Sequence, residues 1–374
     1  MSGDPSPAAF EFATATRILF GAGKLAEAPA VIEPFGRRVL IVTGRTPARA
    51  EPLLALLNHF DCTIHCIPSE PTLEDIAVGV TTATGHHAVI AIGGGSAMDA
   101  GKAIAALATN PGDPLDYLEV IGRGQPLTEA PLPFIAIPTT AGTGAEVTRN
   151  AVITCPEQQV KVSLRHPRML PLAAIVDPEL TYDLPPDISA ATGMDALTQL
   201  IEPFTCRRAN PLTDALCREA IPQAATALPR AVAGEFTARA DMAFASLCGG
   251  LALANSGLGA VHGFAAPIGG MFPAPHGAVC AALLPHVFAA NARHLPERFA
   301  EVSKLLNAGN TAEAGADMLK NLAQELNIPG LATYGITKDD FPKLIAKARK
   351  ASSMKANPVD LSDAELAGIL RAAL

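Results

Sequence analysis

The stretch HAVIAIGGGSAMDAGKAIAALATN, residues 87–110, constrains the fold more than any other. A continuous apolar run ends in three glycines, and an Ala-rich segment of helical spacing follows at once. An apolar run without polar alternation has to be covered on both faces, which places it as a strand inside a parallel sheet. The pattern recurs through the first half of the chain. RRVLIVTG (37–44) and CTIHCIP (62–68) predict strands, and EPLLALLNHF (51–60) and TLEDIAVGVTTATG (72–85) predict helices. LPFIAIPTTAGTG (132–144) predicts a strand running into a turn. Thr72 is placed to cap its helix, with Asp75 three residues on as an acidic variant of the capping box. Such alternation predicts a Rossmann-like parallel sheet with helices on both faces.

Beyond AAIVDPELTYDLPPD (173–187), punctuated by Pro178, Pro185 and Pro186, the pattern changes. From Ile188 to Leu374 the chain is rich in Ala and Leu with helical periodicity, and no β-branched strand is evident. The expectation is an α/β dinucleotide-binding domain over 1–185 and an all-helical domain over 186–374, and 374 residues are enough for two real cores.

Hydrophobic residues make up 49% of the chain and charged ones 17%, which excludes a disordered polymer. A net charge of −8 argues against nucleic acid or an anionic membrane as partner. The segment MSGDPSPAAFEFATATRILF has an early acid and no apolar core behind a basic lead, so no signal peptide is expected. GGLALANSGLGAVHGFAAPIGGMF (249–272) is long enough to span a bilayer but carries Asn255, Ser256, His262 and Pro267. It reads as a buried core helix followed by a loop. The seven cysteines are odd in number and include no Cys-x-x-Cys pair, and Cys62 and Cys66 have nothing downstream to complete a zinc site. Reduced thiols in a cytoplasmic protein are expected.

Gly93, Gly94 and Gly95 end a strand and open a helix. Glycines let backbone approach a bulky anion, and a helix N-terminus offers free N–H groups to phosphate. The structural alternative is a tight turn with Ser96 and Asp99 as a capping box. The fingerprint G-x-G-x-x-G is absent. PTTAGTGAE (138–146) adds a second turn of strand-to-helix type, with Thr139, Thr140, Gly142, Thr143 and Gly144, and with Thr143 and Glu146 at capping spacing. Two such turns at the carboxyl ends of strands predict a crevice for an extended, phosphate-bearing ligand, and a dinucleotide fits that better than a lone phosphate.

GMDALTQLIEP (193–203) puts Asp195 and Gln199 at i and i+4, on one helix face. His262 in GAVHGF and His276 in PAPHGAV are candidates to join them, with His286 in LLPHVF a weaker third. One carboxylate with several imidazoles suits a divalent first-row metal acting as a Lewis acid on an alcohol or carbonyl oxygen.

GGGSAMDAGK, PTTAGTGAE, VDPELT…LPP…TGMDALTQLIEP and VHG…PHG…LLPH, in this order and spacing, resemble the iron-containing (group III) alcohol dehydrogenase family over nearly the whole chain. The resemblance implies a dinucleotide-binding α/β domain, a helical domain and an active site in the cleft between them, a dehydroquinate synthase-like architecture. It implies an NAD(P)-dependent alcohol dehydrogenase or aldehyde reductase using a divalent metal, Fe²⁺ or Zn²⁺. Gly93 to Ser96 would hold the pyrophosphate, helped by Asp99 and Lys102, and Thr139, Thr140 and Thr143 would lie along the cofactor. The metal ligands would be Asp195, residue 199, His262 and His276, with Asp195, His262 and His276 serving catalysis.

Two positions depart from the family pattern. Residue 199 is Gln where the family has His, and an amide oxygen is a poorer donor to Fe²⁺ or Zn²⁺. Three readings stay open: metal held with Gln199 as a weak or water-bridged ligand, a harder ion such as Mn²⁺, or an empty site with substrate polarised by His262 or His276. Residue 266 is Ala where many members carry a further His, so a proton has to leave by cofactor ribose or water. At the end of VTGRT, Gly44 replaces the acid of NAD-restricted members, and Arg45 and Thr46 could take a 2′-phosphate, so NADPH is expected to be tolerated.

Two alternatives stay open beside the dehydrogenase. A maleylacetate reductase-like enzyme would need no metal but would need cations for a dicarboxylate, for which Arg165, His166 and Arg168 are candidates. A non-redox lyase or a binding protein could use the same scaffold. With no Trp and three Tyr, the substrate pocket is expected to be aliphatic, lined in part by GGMFPAP (269–275). FEFATATRILFGAG resembles the edge segment through which family members pair, so a homodimer is expected.

Overall fold

The computed structural model describes residues 9–374. The first eight residues of the N-terminal segment assessed for a signal peptide lie outside them.

The strands of the first half are β1 (Arg17–Phe20), β2 (Arg38–Thr43), β3 (Asp61–Cys66), β4 (Ala88–Gly93), β5 (Phe134–Pro138), β6 (Asn150–Cys155), β7 (Val160–Arg165) and β8 (Ala173–Val176). Six of them form one parallel sheet in the order β1-β8-β5-β4-β2-β3. The helices α1 (Ala28–Ile32), α2 (Glu51–Leu56), α3 (Leu73–Thr82) and α4 (Gly95–Leu107) connect the early strands. Alternate residues of each central strand enter different cores. Leu40, Val42, Val89 and Ala91 pack toward α3 and α4. Val39, Ile41, Ile90 and Ile92 pack toward α1 and α2. Every one of these is buried, which explains runs with no polar alternation. Thr72 and Asp75 form the expected capping box on α3.

The chain moves outward from β2 to β3, then returns across β2 to β4 on its other side. This reversal opens a crevice at the carboxyl ends of β2 and β4, with Gly44 after one and Gly93–Gly95 after the other.

From Pro186 the described chain is helical: α5 (Pro186–Thr205), α6 (Pro211–Val232), α7 (Phe236–Asn255), α8 (Ala260–Met271), α9 (His276–Ala292), α10 (Pro296–Leu305), α11 (Ala312–Glu325), α12 (Phe341–Ala348), α13 (Ser352–Ala356) and α14 (Asp363–Ala372). The central helix, α5, packs on α6, α7 and α9. Between Ile188 and Thr205 its only ionisable residues are Asp195 and Glu202, and both are buried.

Two features differ from the sequence expectation, and one alternative reading is not met. The turn after β5 opens a single 3₁₀ turn, Ala145–Val147, and then the antiparallel β6–β7 hairpin, rather than an α-helix. Gly144 sits there at φ +57°, a left-handed conformation that an α-helix start does not take. Residues 249–272 are the end of α7, a 95° break and the whole of α8, rather than a helix and a loop. Ser256, Gly257, Leu258 and Gly259 make that break, and among the described residues no single helix is long and apolar enough to cross a membrane. Finally, α4 begins at Gly95 with no side-chain cap, so Ser96 and Asp99 form no capping box.

Candidate active site

A cleft of about 1950 Å³ runs between the crevice of the sheet and the helical half. On the sheet side it is lined by Gly44, Arg45, Thr46, Gly94, Gly95, Ser96, Asp99 and Thr143, and on the helical side by Asp195, Gln199, His262 and His276. Gly95 leaves room for its neighbour: a Cβ there would lie 2.9 Å from Thr143 Cγ2. The two glycine-bearing turns therefore touch across the crevice, and the first backbone N–H groups of α4 face the cleft. Arg45 Nε donates to the carbonyl of Pro68 at 3.1 Å.

Some candidates fall outside the cleft lining. Lys102 is buried: Nζ donates to the carbonyl of Ala145 and to Thr148 Oγ1, both at 3.0 Å, and pairs with Asp99 Oδ1 at 3.1 Å. It ties α4 to the 3₁₀ turn. Asp99 also accepts from the Val152 N–H at 3.1 Å. Gly93 and Thr139 sit deeper, joined by a hydrogen bond from Thr139 N–H to the Gly93 carbonyl at 2.9 Å, and Thr140 packs against Gly94. Of the cationic candidates, Arg165 reaches the cleft and is paired with Glu119 at 3.5 Å, whereas Arg168 donates to the Thr128 carbonyl and its backbone N–H bonds to His166 Nδ1. From 269–275 only Pro275 lines the cleft, because Gly269 and Gly270 pack on Lys161 and Val160 of the hairpin.

The helical wall gathers a compact cluster. Asp195 comes from α5, His262 from the first turn of α8 and His276 from the first residue of α9. His262 Nε2 lies 3.3 Å and His276 Nε2 3.9 Å from Asp195 Oδ1. His286 sits farther along α9, outside the cluster. The break between α7 and α8 turns His262 inward, and Gly277 lets α9 start against α5, where a Cβ would lie 2.5 Å from the Ala191 carbonyl.

Two members were not anticipated from the sequence. Glu202 is buried on α5, accepts from His262 Nδ1 at 2.7 Å and from the Val261 N–H at 2.7 Å, and fixes that ring. In sequence it is simply a carboxylate two turns after Asp195, with no feature that marks it. Cys280, one turn after His276, brings Sγ to 3.7 Å from His276 Nε2 and 3.9 Å from His262 Nε2.

With Nδ1–H committed to Glu202, a neutral His262 turns the lone pair of Nε2 toward Asp195 Oδ1. Two acceptors 3.3 Å apart need positive charge between them. Asp195 Oδ1 and Gln199 Oε1 are buried without any hydrogen-bond partner. Burial opposes charge on both rings, yet Cys280, Asp195 and, for His262, Glu202 outweigh it. They hold His262 well above the ordinary histidine value and His276 up to about 9. Burial raises the Asp195 carboxyl, but His276 and His262 more than offset this and keep it below its ordinary value. The cluster is built for a cation, and its donor set fits a divalent metal.

Residues 15–178 match the profile described as iron-containing alcohol dehydrogenase, and residues 189–374 match that of the Fe-containing alcohol dehydrogenase family, C-terminal. The chain belongs to the iron-containing alcohol dehydrogenase family. Alcohol dehydrogenase 4 of Schizosaccharomyces pombe is 37% identical over 371 residues, 95% of this chain and 87% of that protein. A crystal structure of 1,3-propanediol oxidoreductase superposes with a TM-score of 0.91 at 32% identity, covering 98% of this chain and all of that one. Sulfoacetaldehyde reductase from Bifidobacterium kashiwanohense, solved in complex with NAD⁺, gives 0.88 at 29% identity over 98% of this chain and 99% of that one. Like other members of this family, the chain is an oxidoreductase acting on alcohol and aldehyde groups.

Proposed function

We propose that the two halves meet at residues 185/186, and that Asp195, His262 and His276, with Gln199 beside them, hold a divalent metal facing a nicotinamide dinucleotide across the cleft. The observation that carries this reading is the partnerless Asp195 Oδ1 aimed at two imidazole nitrogens on the wall opposite the α4 N-terminus. When bound, such an ion supplies Lewis-acid polarisation of an alcohol or carbonyl oxygen.

The chain's own residues do the rest. The N–H groups at Gly94, Gly95 and Ser96 cradle the pyrophosphate, with Thr143 beside them. Glu202 keeps the proton of His262 on Nδ1, so that Nε2 faces Asp195. The cleft brings the carbinol carbon and nicotinamide C4 together and limits water around them. Ala266 lines the cleft and has no proton to give or take, so it would leave the substrate proton to water or to a bound cofactor. Gly44 has open space beside it and carries no acid, and Arg45 lines the same rim, which supports acceptance of a 2′-phosphate.

The test strips the protein with chelator and follows aldehyde-dependent oxidation of NADPH and NADH as Fe²⁺, Zn²⁺ and Mn²⁺ are returned singly. Recovery with one ion supports the reading. Full activity in the stripped protein would sink it in favour of a metal-free reductase, and a thousandfold preference for NADH would sink the cofactor assignment.

We also infer a homodimer in the cytoplasm. The seven cysteines are all free, as a reducing compartment favours. Among the described residues, strand β1 is the edge of the sheet, paired with β8 on one side only, and an open edge is a template for a second copy. Sedimentation velocity should give twice the chain mass of 38.5 kDa; a monomer at micromolar concentration would rule the dimer out.

A further inference from the structure

Resting on the metal-centre reading above, we propose that Cys280 Sγ, rather than the Gln199 amide, is the fourth protein donor of that centre, and that it biases the site toward borderline-soft ions such as Zn²⁺ and Co²⁺ over hard ions such as Mn²⁺.

Cys280 is fully buried on α9, one turn from His276 and on the same face. Its sulfur lies 3.7 Å from His276 Nε2 and 3.9 Å from His262 Nε2. Those nitrogens lie 3.9 and 3.3 Å from Asp195 Oδ1, and the four donor atoms all fall within 4.8 Å of one another. A tetrahedral ion about 2.0–2.3 Å from its N, O and S ligands sets donor separations of roughly 3.3–3.7 Å. The four separations given run from 3.3 to 3.9 Å, and the whole set closes within 4.8 Å, so binding requires a contraction that side-chain rotation supplies.

A buried thiol alone would say little, since free cysteines are common in cores. The second observation is independent of it. Asp195 is 1% exposed, and its Oδ1, aimed at the same nitrogens, has no hydrogen-bond partner. Cys280 and the orphaned oxygen close on one point from α9 and α5.

The two amide and thiol candidates occupy different sides. Gln199 lines the cleft, whereas Cys280 lies behind the histidines and does not. Sulfur at the back completes the protein's donor set, and an incoming oxygen from the cleft face would add as a fifth ligand. Gln199 Oε1 itself is buried and finds no hydrogen-bond partner among the described residues. A thiolate donor ranks zinc and cobalt above manganese, which prefers oxygen ligands.

The test is the electronic spectrum of the full chain, stripped with chelator and loaded with one equivalent of Co²⁺. A thiolate ligand gives an intense sulfur-to-cobalt charge-transfer band in the near ultraviolet, which N and O ligands do not give. The expected result is that band in the wild type and its loss in Cys280→Ser with cobalt still bound. Cobalt bound without the band overturns the assignment of Cys280 and leaves the metal centre intact. Failure to bind cobalt at all overturns both. The wild-type spectrum decides even where the variant misfolds. Dialysis of wild type against equimolar Zn²⁺ and Mn²⁺, read by metal analysis, should show zinc retained over manganese by about tenfold or more; equal retention would overturn the proposed bias.

Discussion

Glu202 shows what a single residue contributes behind the reacting groups. It touches neither cleft nor cofactor surface, yet its carboxylate at 2.7 Å from His262 Nδ1 fixes both the ring and its tautomer. Partners of this kind tune a centre by orientation and basicity rather than by ligation. Glu202→Gln keeps the shape but weakens the acceptor. Metal affinity is expected to fall about 10- to 100-fold, measured by competition with a chromophoric chelator. Wild-type affinity in that variant would mean that His262 is held by packing alone. Glu202 and Cys280 could not be singled out from the sequence, because a carboxylate two turns along a helix and a thiol in an Ala-rich one look like ordinary core residues until the partner helix is in place. Asp195 and Gln199 were legible as an i, i+4 pair on one helix face, and His262 and His276 were candidates that the family resemblance joined to them.

Among elements, the seam between the two halves includes a close backbone approach. The turn after β5 meets α7 where Gly144 and Gly250 face each other, and a Cβ on Gly250 would lie 2.4 Å from the Gly144 carbonyl oxygen and 2.7 Å from its Cα. Backbone cannot swing aside as a side chain can. Gly250→Ala is therefore expected to lower stability by ~1–3 kcal/mol, read as a lower Tm. Because the same turn carries Thr143 to the cleft, kcat should fall with it at temperatures where the variant is still folded. An alanine variant with unchanged Tm and kcat would show the seam to be compliant. Strands β2 to β5 and helices α2 to α4 followed from their apolar patterning, but the edge strand β1, strand β8, helix α1 and the β6–β7 hairpin did not. VKVSLR alternates apolar and polar residues as a half-buried strand does, so the second strand was legible there, but NAVITC is less regular in residue type and the preceding GTGAE text has the residues of a helix start.

Over the whole molecule, stability should carry a pH signature from Glu146, buried in the 3₁₀ turn beside Lys102. Burial pushes its carboxyl up to about 7 from an ordinary 4.5, with its own backbone N–H and Lys102 only partly compensating. In the unfolded chain the group ionises near its ordinary value. Between those two pH values the folded protein keeps a proton that the unfolded chain has lost, so stability falls as pH rises through the window and levels off above it. Integrated, this reaches ~3 kcal/mol. Glu146→Gln should gain Tm over wild type progressively from pH 5 to pH 8; a constant difference would mean that Glu146 finds a partner when ionised.

The sequence by itself determined the parallel sheet, the helical second half and the glycine turns, because each is written in local periodicity and in backbone freedom that only certain residues supply. It also determined which residue types could form a metal centre. Only the tertiary structure decided which of them meet. Lys102 turned inward to the seam instead of to the cleft, residues 249–272 bent to aim His262 at Asp195, and Glu202 and Cys280 joined the cluster from neighbouring turns. Those outcomes depend on where α5, α8 and α9 cross, and helix crossings are set by side-chain packing summed over the domain rather than by any local pattern.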